Sequence, residues 1–256
     1  MKKVLTVSWL GSLLFVLASC GGGNSRSFVR IVNASPDAGA IDVTIGGTTL
    51  SSVAYATGSN YFTMTPGTGI TFKVNQHGQT AFPINTQITL TGKAYYTIAV
   101  VGLVGSTTTI PPVPATLTIL QSVDDHSAPA AGNVKIRVLQ ADPYFHKAPS
   151  DSGPVDVYIT PPANTLNGTI PTFNGSGSGV NFQTMTSFVS FPILATGDPG
   201  LRIRVAPAGD TNPDADSFLD SGTVTFKALQ VRTFVILDAP PAGTGLYQGV
   251  FLNDLN

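Results

Sequence analysis

The sequence predicts an all-β protein: two tandem antiparallel β-sandwiches, Ig-like or transthyretin-like, behind an export signal. Three observations carry that prediction. All fourteen acidic residues are Asp, with no Glu anywhere, and Thr, Val, Gly, Pro, Ser and Asn are abundant. Glu favours helices, whereas Asp, Gly, Pro and Asn favour turns, so this is an alphabet of strands joined by tight loops. Short segments alternate apolar with polar residues, as a strand does with one face buried. The same ordered series of such segments also occurs twice along the chain.

The N-terminal segment comes first. Met1-Lys2-Lys3 is a basic start, Val4 to Leu17 is almost wholly apolar, and small residues precede Cys20. That is the layout of an export signal. The run is too short for a bilayer span, which needs about 20 apolar residues. Leu17-Ala18-Ser19-Cys20 resembles the lipidation box of bacterial lipoproteins, which implies diacylglyceryl transfer to the Cys20 thiol and cleavage before it. Cys20 is the one cysteine of the chain, so lipidation also accounts for an exported thiol without a partner. The resemblance extends to sorting: with Gly21 rather than Asp after the cysteine, a Gram-negative cell would send the protein to its outer membrane. Residues 1–19 are read as the signal peptide and 20–27 as a lipidated tether.

The first sandwich is assigned to residues 28–122. Phe28-Val29-Arg30-Ile31-Val32-Asn33-Ala34-Ser35-Pro36 leads into Ile41-Asp42-Val43-Thr44-Ile45, where Ile41, Val43 and Ile45 face inward and Asp42 and Thr44 outward. Ile70 to Val74, Tyr96 to Val101 and Thr116 to Leu120 supply further strands. Residues 123–133, with Asp124-Asp125-His126 and Ala128-Pro129-Ala130-Ala131-Gly132, form the joint. The second sandwich, 134–256, repeats the series: Val134 to Pro143 leads into Val155-Asp156-Val157-Tyr158-Ile159, followed by Leu201 to Val205, Arg232 to Leu237 and Gly249 to Leu252.

The repeated stretch, Arg30, Asn33, Ala34, Ser35, Pro36, Asp37, Ala38 and Asp42 in its first copy, resembles the bacterial family called domain of unknown function 4397, found in exported and cell-surface proteins. The second copy departs from it, with Gln140 in place of Asn33 and Asp142-Pro143-Tyr144 where the motif has Ser-Pro-Asp. The resemblance implies a β-sandwich surface module and brings no activity.

Charge and composition bound the function. Removing residues 1–19 takes Lys2 and Lys3 from thirteen basic residues, leaving eleven against fourteen acids and a net charge of −3. Nucleic acid is not an expected partner. The missing Glu excludes an HExxH zinc protease and any glycosidase dyad that requires one. The single Trp, Trp9, lies in the signal.

Several residues stand out as candidate sites. Asp210, Asn212, Asp214 and Asp216 place oxygens at alternate positions, as a calcium loop does, but Ala215 and Ser221 stand where an EF-hand has Gly and Glu. The expectation is a solvated hairpin loop. The loop before the Asp-Val strand grows from eight steps, Ala34 to Asp42, to fifteen, Ala141 to Asp156. The added Tyr144, Phe145 and His146 make it the candidate binding loop. Gly175 to Gly179 reads as a flexible loop rather than a phosphate cradle, because no helix follows it. Arg30 with Asp42, and Arg137 with Asp156, read as a repeated ion pair, or as an Asp bonding turn amides. His77, His126 and His146 lie far apart, and no GxSxG elbow occurs.

The expected function is therefore a lipid-anchored envelope protein acting as a noncatalytic binding, adhesion or scaffolding module. It is held in the membrane through Cys20, needs no cofactor, and contacts an envelope protein or a glycan. A cation-assisted, Asp-based hydrolase or carbohydrate-active enzyme is the alternative from another class, and a calcium-stabilised spacer the third reading.

Overall fold

The computed structural model describes residues 25–105, 109–110, 113–114, 116–143, 153–193, 199–239 and 247–255. The first half runs through β1 (Ser27–Ala34), β2 (Ile41–Ile45), β3 (Thr48–Val53), β4 (Thr57–Gly58), β5 (Phe62–Met64), β6 (Gly67–Gln76), β7 (Ile84–Leu90), β8 (Tyr95–Val101), the short pair β9 (Thr109–Ile110) and β10 (Val113–Pro114), and β11 (Thr118–Asp124). One sheet has the order β3-β2-β6-β7 and is antiparallel throughout. The other has the order β11-β8-β1, with β4 and β5 both pairing to the free side of β1. The β2–β3 hairpin turns at Gly46-Gly47, both at positive φ (52° and 91°), the backbone that a two-residue turn matching the twist of its strands demands.

The sequence alternation becomes a core here. Ile41, Val43 and Ile45 are fully buried, and they meet Val29, Ile31, Phe72, Val74 and Ile98 between the two sheets. Asp42 and Thr44 face the other way and are partly exposed.

The second half contains β12 (Asn133–Gln140), β13 (Val155–Thr160), β14 (Thr184–Met185), β15 (Val189–Pro192), β16 (Leu201–Pro207), the single-turn helix α1 (Pro213–Asp216), β17 (Leu219–Val224), β18 (Val231–Asp238) and β19 (Tyr247–Asn253). Its sheets are ordered β13-β16-β17 and β19-β18-β12, with β14 and β15 on the free side of β12. The correspondence with the first half reaches single hydrogen bonds. Ile31 N–H donates to Ser59 Oγ at 3.0 Å, and Val138 N–H to Thr186 Oγ1 at 2.9 Å. Ala56 N–H donates to Asn33 O, and Gln183 N–H to Gln140 O, and Ala56 and Gln183 share a positive φ of 60° and 59°. Each sandwich carries one parallel pair in its otherwise antiparallel sheets, β1 with β8 and β12 with β18. A parallel pair needs a long crossover, which the strands of the opposite sheet provide.

The halves pack sheet against sheet. Val32, Ala34, Ala99 and Val101 from the outer face of β1 and β8 meet Leu139, Ala141, Val235, Leu237 and Leu252 in a third core. The protein is thus four β-layers deep. Burial on both faces explains why β1, β8, β12 and β18 are nearly continuous apolar runs where one-faced burial predicts clean alternation. β11 extends through Asp124, so the first residues of the expected joint are strand and residues 125–132 make the connection. Among the described residues, no helix is long and apolar enough to cross a membrane.

Strands β1, β8, β12 and β18 start at one end of the molecule, here the near end, where β11 and β19 finish. At the opposite, far end, Tyr55 O–H donates to the carbonyl of Asp238 at 2.5 Å across the halves.

Candidate functional site

Arg30 and Arg137 occupy the same position on β1 and β12, on the faces that meet between the halves, and each is only 2% exposed. A guanidinium there must be fully bonded, because an unpaired buried charge costs several kcal/mol. Each finds its carboxylate in the other half. Arg30 Nη2 donates to Asp254, just past β19, and Arg137 Nη2 to Asp124 at the end of β11, at 2.5 Å.

Two threonines close the circuit. Arg30 Nε and Nη2 donate to Thr97 Oγ1 at 3.1 and 2.8 Å, and Thr97 donates onward to Asp124 Oδ2 at 2.7 Å. Arg137 Nε donates to Thr233 Oγ1 at 2.8 Å, and Thr233 to Asp254 Oδ2 at 2.6 Å. Arg30, Thr97, Asp124, Arg137, Thr233 and Asp254 thus form a closed, reciprocal ring, patterned like an isologous dimer interface within one chain. Burial pushes the Asp254 carboxyl up, and the Arg30 and Arg137 guanidinium groups and the Thr233 hydroxyl oppose it.

Two grooves flank the ring. One, of about 340 Å³, lies beside Arg30 between residues 56–61 and 250–253. The other, of about 560 Å³, lies beside Arg137 and is lined by Ser122, Lys135, Ser187 and Phe188 among others. Each guanidinium sits over an aromatic ring, Arg30 over Tyr61 at 5.0 Å and Arg137 over Phe188 at 4.6 Å, a contact that strengthens as water is excluded. Beneath these guanidinium groups the two rings differ by a hydroxyl: Tyr61 O–H donates to Asp124 Oδ2 at 2.6 Å, and Phe188 has none. Burial pushes the Tyr61 phenol well above its usual range. Beside it, Phe28, Tyr95 and His126 stack face to face, with centroids 4.4 and 3.7 Å apart.

The ring's carboxylates are committed to guanidinium and hydroxyl donors. A satisfied buried network specifies one docking of the halves.

The residues singled out in the sequence fall elsewhere. The ion pairs expected within each repeat, Arg30 with Asp42 and Arg137 with Asp156, do not form, because Asp42 and Asp156 lie on the sheets remote from the junction. The turn-amide alternative fits both. Asp42 Oδ1 accepts Ser52 N–H at 2.7 Å, Ser51 Oγ at 3.1 Å and His77 Nδ1 at 2.8 Å, and its carboxyl is lowered to about 2, chiefly by the Ser52 amide. Ser51 and His77 bond the same oxygen, so no serine-to-histidine relay exists. Asp156 accepts Gly209 N–H at 2.9 Å.

In the calcium-like loop, Asp214 accepts the amides of Leu166 at 2.8 Å and Asn167 at 3.0 Å and faces Arg204 at 3.3 Å. Asp210 bonds Asn212 N–H, and Asn212 Oδ1 accepts from Asn167. Among the described residues, no group of three or more His, Cys, Asp or Glu gathers to hold a metal ion. Gly175–Gly177 forms one 3-10 turn. His126 joins the aromatic stack. Cys20, Tyr144, Phe145 and His146 lie outside the described residues.

The repeated motif builds a corner. Asn33 Nδ2 donates to Gly39 O and Val53 O, its Oδ1 accepts Ser35 N–H, Ser35 Oγ donates to Gly102 O, and Asp37 accepts Val104 N–H. Sequence reading missed Thr97, Thr233, Asp124 and Asp254. The available signal was that Thr97 and Thr233 match within the aligned repeats, each a hydroxyl inside an apolar run, and that an Asp follows or ends the last strand of each copy.

Among curated proteins, none matches this chain. Residues 27–147, the first half and the opening strand of the second, match the model of the family described as "Domain of unknown function (DUF4397)".

Proposed function

We propose that the mature chain is carried on a bacterial envelope membrane by lipid on Cys20, outer in a Gram-negative cell, and that it binds or scaffolds an envelope protein or a glycan without transforming it. The second half, on this reading, is a divergent copy of the first. The observation that carries the proposal is the direction of the strands. β1 enters the fold at Ser27, and seven residues reach about 25 Å at most, so a lipid on Cys20 holds the near end against the bilayer. β12 ends at Gln140 and β13 begins at Val155, both at the far end. The described residues that flank the candidate loop, Pro143 and Gly153, therefore stand on the side remote from the membrane.

Two measurements test this. The mass of the mature N-terminus reads acylation, and an unmodified Cys20 ends the anchoring claim. Binding of the acylated protein to envelope fractions is then compared with that of a Tyr144→Ala/Phe145→Ala variant. A loss of binding supports the loop, and unchanged binding removes it.

A further inference from the structure

The exposed charges are segregated along the strand axis. At the near end, Arg26, Lys93 and Lys227 are all exposed, and among the described residues the exposed acid there, Asp125, is bonded to the buried Lys135 Nζ at 2.7 Å, while Asp124 and Asp254 are buried in the ring. At the far end Asp37, Asp214 and Asp216 are exposed and Asp42 and Asp210 partly so, with Arg204 facing Asp214 at 3.3 Å, while Asp142, Asp156 and Asp238 are buried. A protein whose mature charge is negative thus keeps its positive pole where its tether begins.

Two turns at the near end are equivalent and share an uncommon backbone. Lys93 N–H donates to Arg26 O, and Leu229 N–H to Asn133 O, both at 2.8 Å. Lys93 and Leu229 have positive φ, 65° and 69°, where Gly or Asn sits with less strain. Leu229 is also 47% exposed. A long cation and a large apolar side chain at strained turn tips is an arrangement that function rather than stability accounts for.

We infer that the near end is a membrane-contact surface. Arg26, Lys93 and Lys227 pair with anionic phospholipid headgroups, and Leu229 inserts at the headgroup boundary. The inference rests on the anchoring reading for its geometry. A tether of about 25 Å at full extension keeps the three cations within a few Debye lengths of the bilayer, about 8 Å each at physiological salt. The acidic far end is repelled, so the strand axis stands away from the surface and presents the β12–β13 side outward.

The test uses the acylated protein with Leu229→Trp, whose indole is the sole one after signal removal, in vesicles containing brominated lipid. On phosphatidylglycerol-containing vesicles the emission is quenched and blue-shifted, and on phosphatidylcholine alone it is not. Each basic residue strengthens docking about fivefold, so Arg26→Gln/Lys93→Asn/Lys227→Gln lowers the docked-to-undocked ratio about a hundredfold with acylation unchanged. Equal quenching on both vesicles, or no response to the triple substitution, overturns the inference. Should mass analysis find no acyl group, the anchoring reading fails by itself. Sedimentation of that secreted chain with the same vesicles then decides the surface: preference for the anionic lipid, lost in the triple variant, sustains it, and no preference overturns it.

Discussion

Arg137 on the first strand of one half donates to Asp124 on the last strand of the other at 2.5 Å, with both side chains almost wholly buried. Arg30 and Asp254 repeat the relationship in the reverse direction. Two charges leave water at each contact, and excellent geometry with further hydrogen bonds offsets that cost. The ring supplies those bonds through Thr97 and Thr233.

Removing one partner strands the other. Arg137→Ala is expected to cost about 3–5 kcal/mol, read as a lower urea midpoint. Arg137→Met/Asp124→Leu costs less than the sum of its single changes, with a coupling of about 0.5–3 kcal/mol in a double-mutant cycle. Strict additivity would show that the pair does not act as a unit.

Tyr61→Phe deletes the hydroxyl bonded to Asp124 and copies Phe188 in the other half. A bond to a charged acceptor is worth about 1.5–3 kcal/mol, so the variant loses stability in that range, whereas Phe188→Tyr recovers none of it. The loss is read by urea unfolding.

Asp42 marks an acid-sensitive corner. Its folded value of about 2 lies below the ordinary aspartate value of 3.8, so its stabilising contribution is complete above about pH 4 and is lost as pH falls through 2. Burial also lowers the His126 value, so the fold favours neutral imidazole. That contribution is present above the ordinary histidine value of 6.5 and declines as pH falls below it. Asp42→Asn flattens the acid limb of the stability profile, and His126→Gln flattens the limb just under neutrality.

Gly249 is fixed by contact. A Cβ there would lie 2.2 Å from the Phe234 ring, in the core of the second half. Gly249→Ala forces that ring aside and is expected to cost about 1–3 kcal/mol. An unchanged melting temperature would show that the ring moves freely.

Much of the fold is legible locally. The alternation in Ile41 to Ile45 placed three side chains in the core, and the recurrence of Arg30 as Arg137 announced a repeated unit. The junction is hidden because its partners are remote: Arg30 and Asp254 are 224 positions apart, and no local period encodes that contact. Asp124 was masked by its neighbours, since Asp-Asp-His beside a Pro- and Ala-rich stretch reads as solvated linker. Asp42 drew attention as the acid nearest Arg30 in the motif, but it lies on a strand of the opposite sheet. Composition spoke for strands throughout and could not say that four of them are covered on both faces.

The claim on which the rest depends is that the ring and the third core join the two sandwiches into one cooperative body. Differential scanning calorimetry of the mature protein tests it most directly. The account predicts one transition whose calorimetric and van't Hoff enthalpies agree, and its division into two by Arg137→Ala. Two separate transitions in the unaltered protein, insensitive to that substitution, would contradict it.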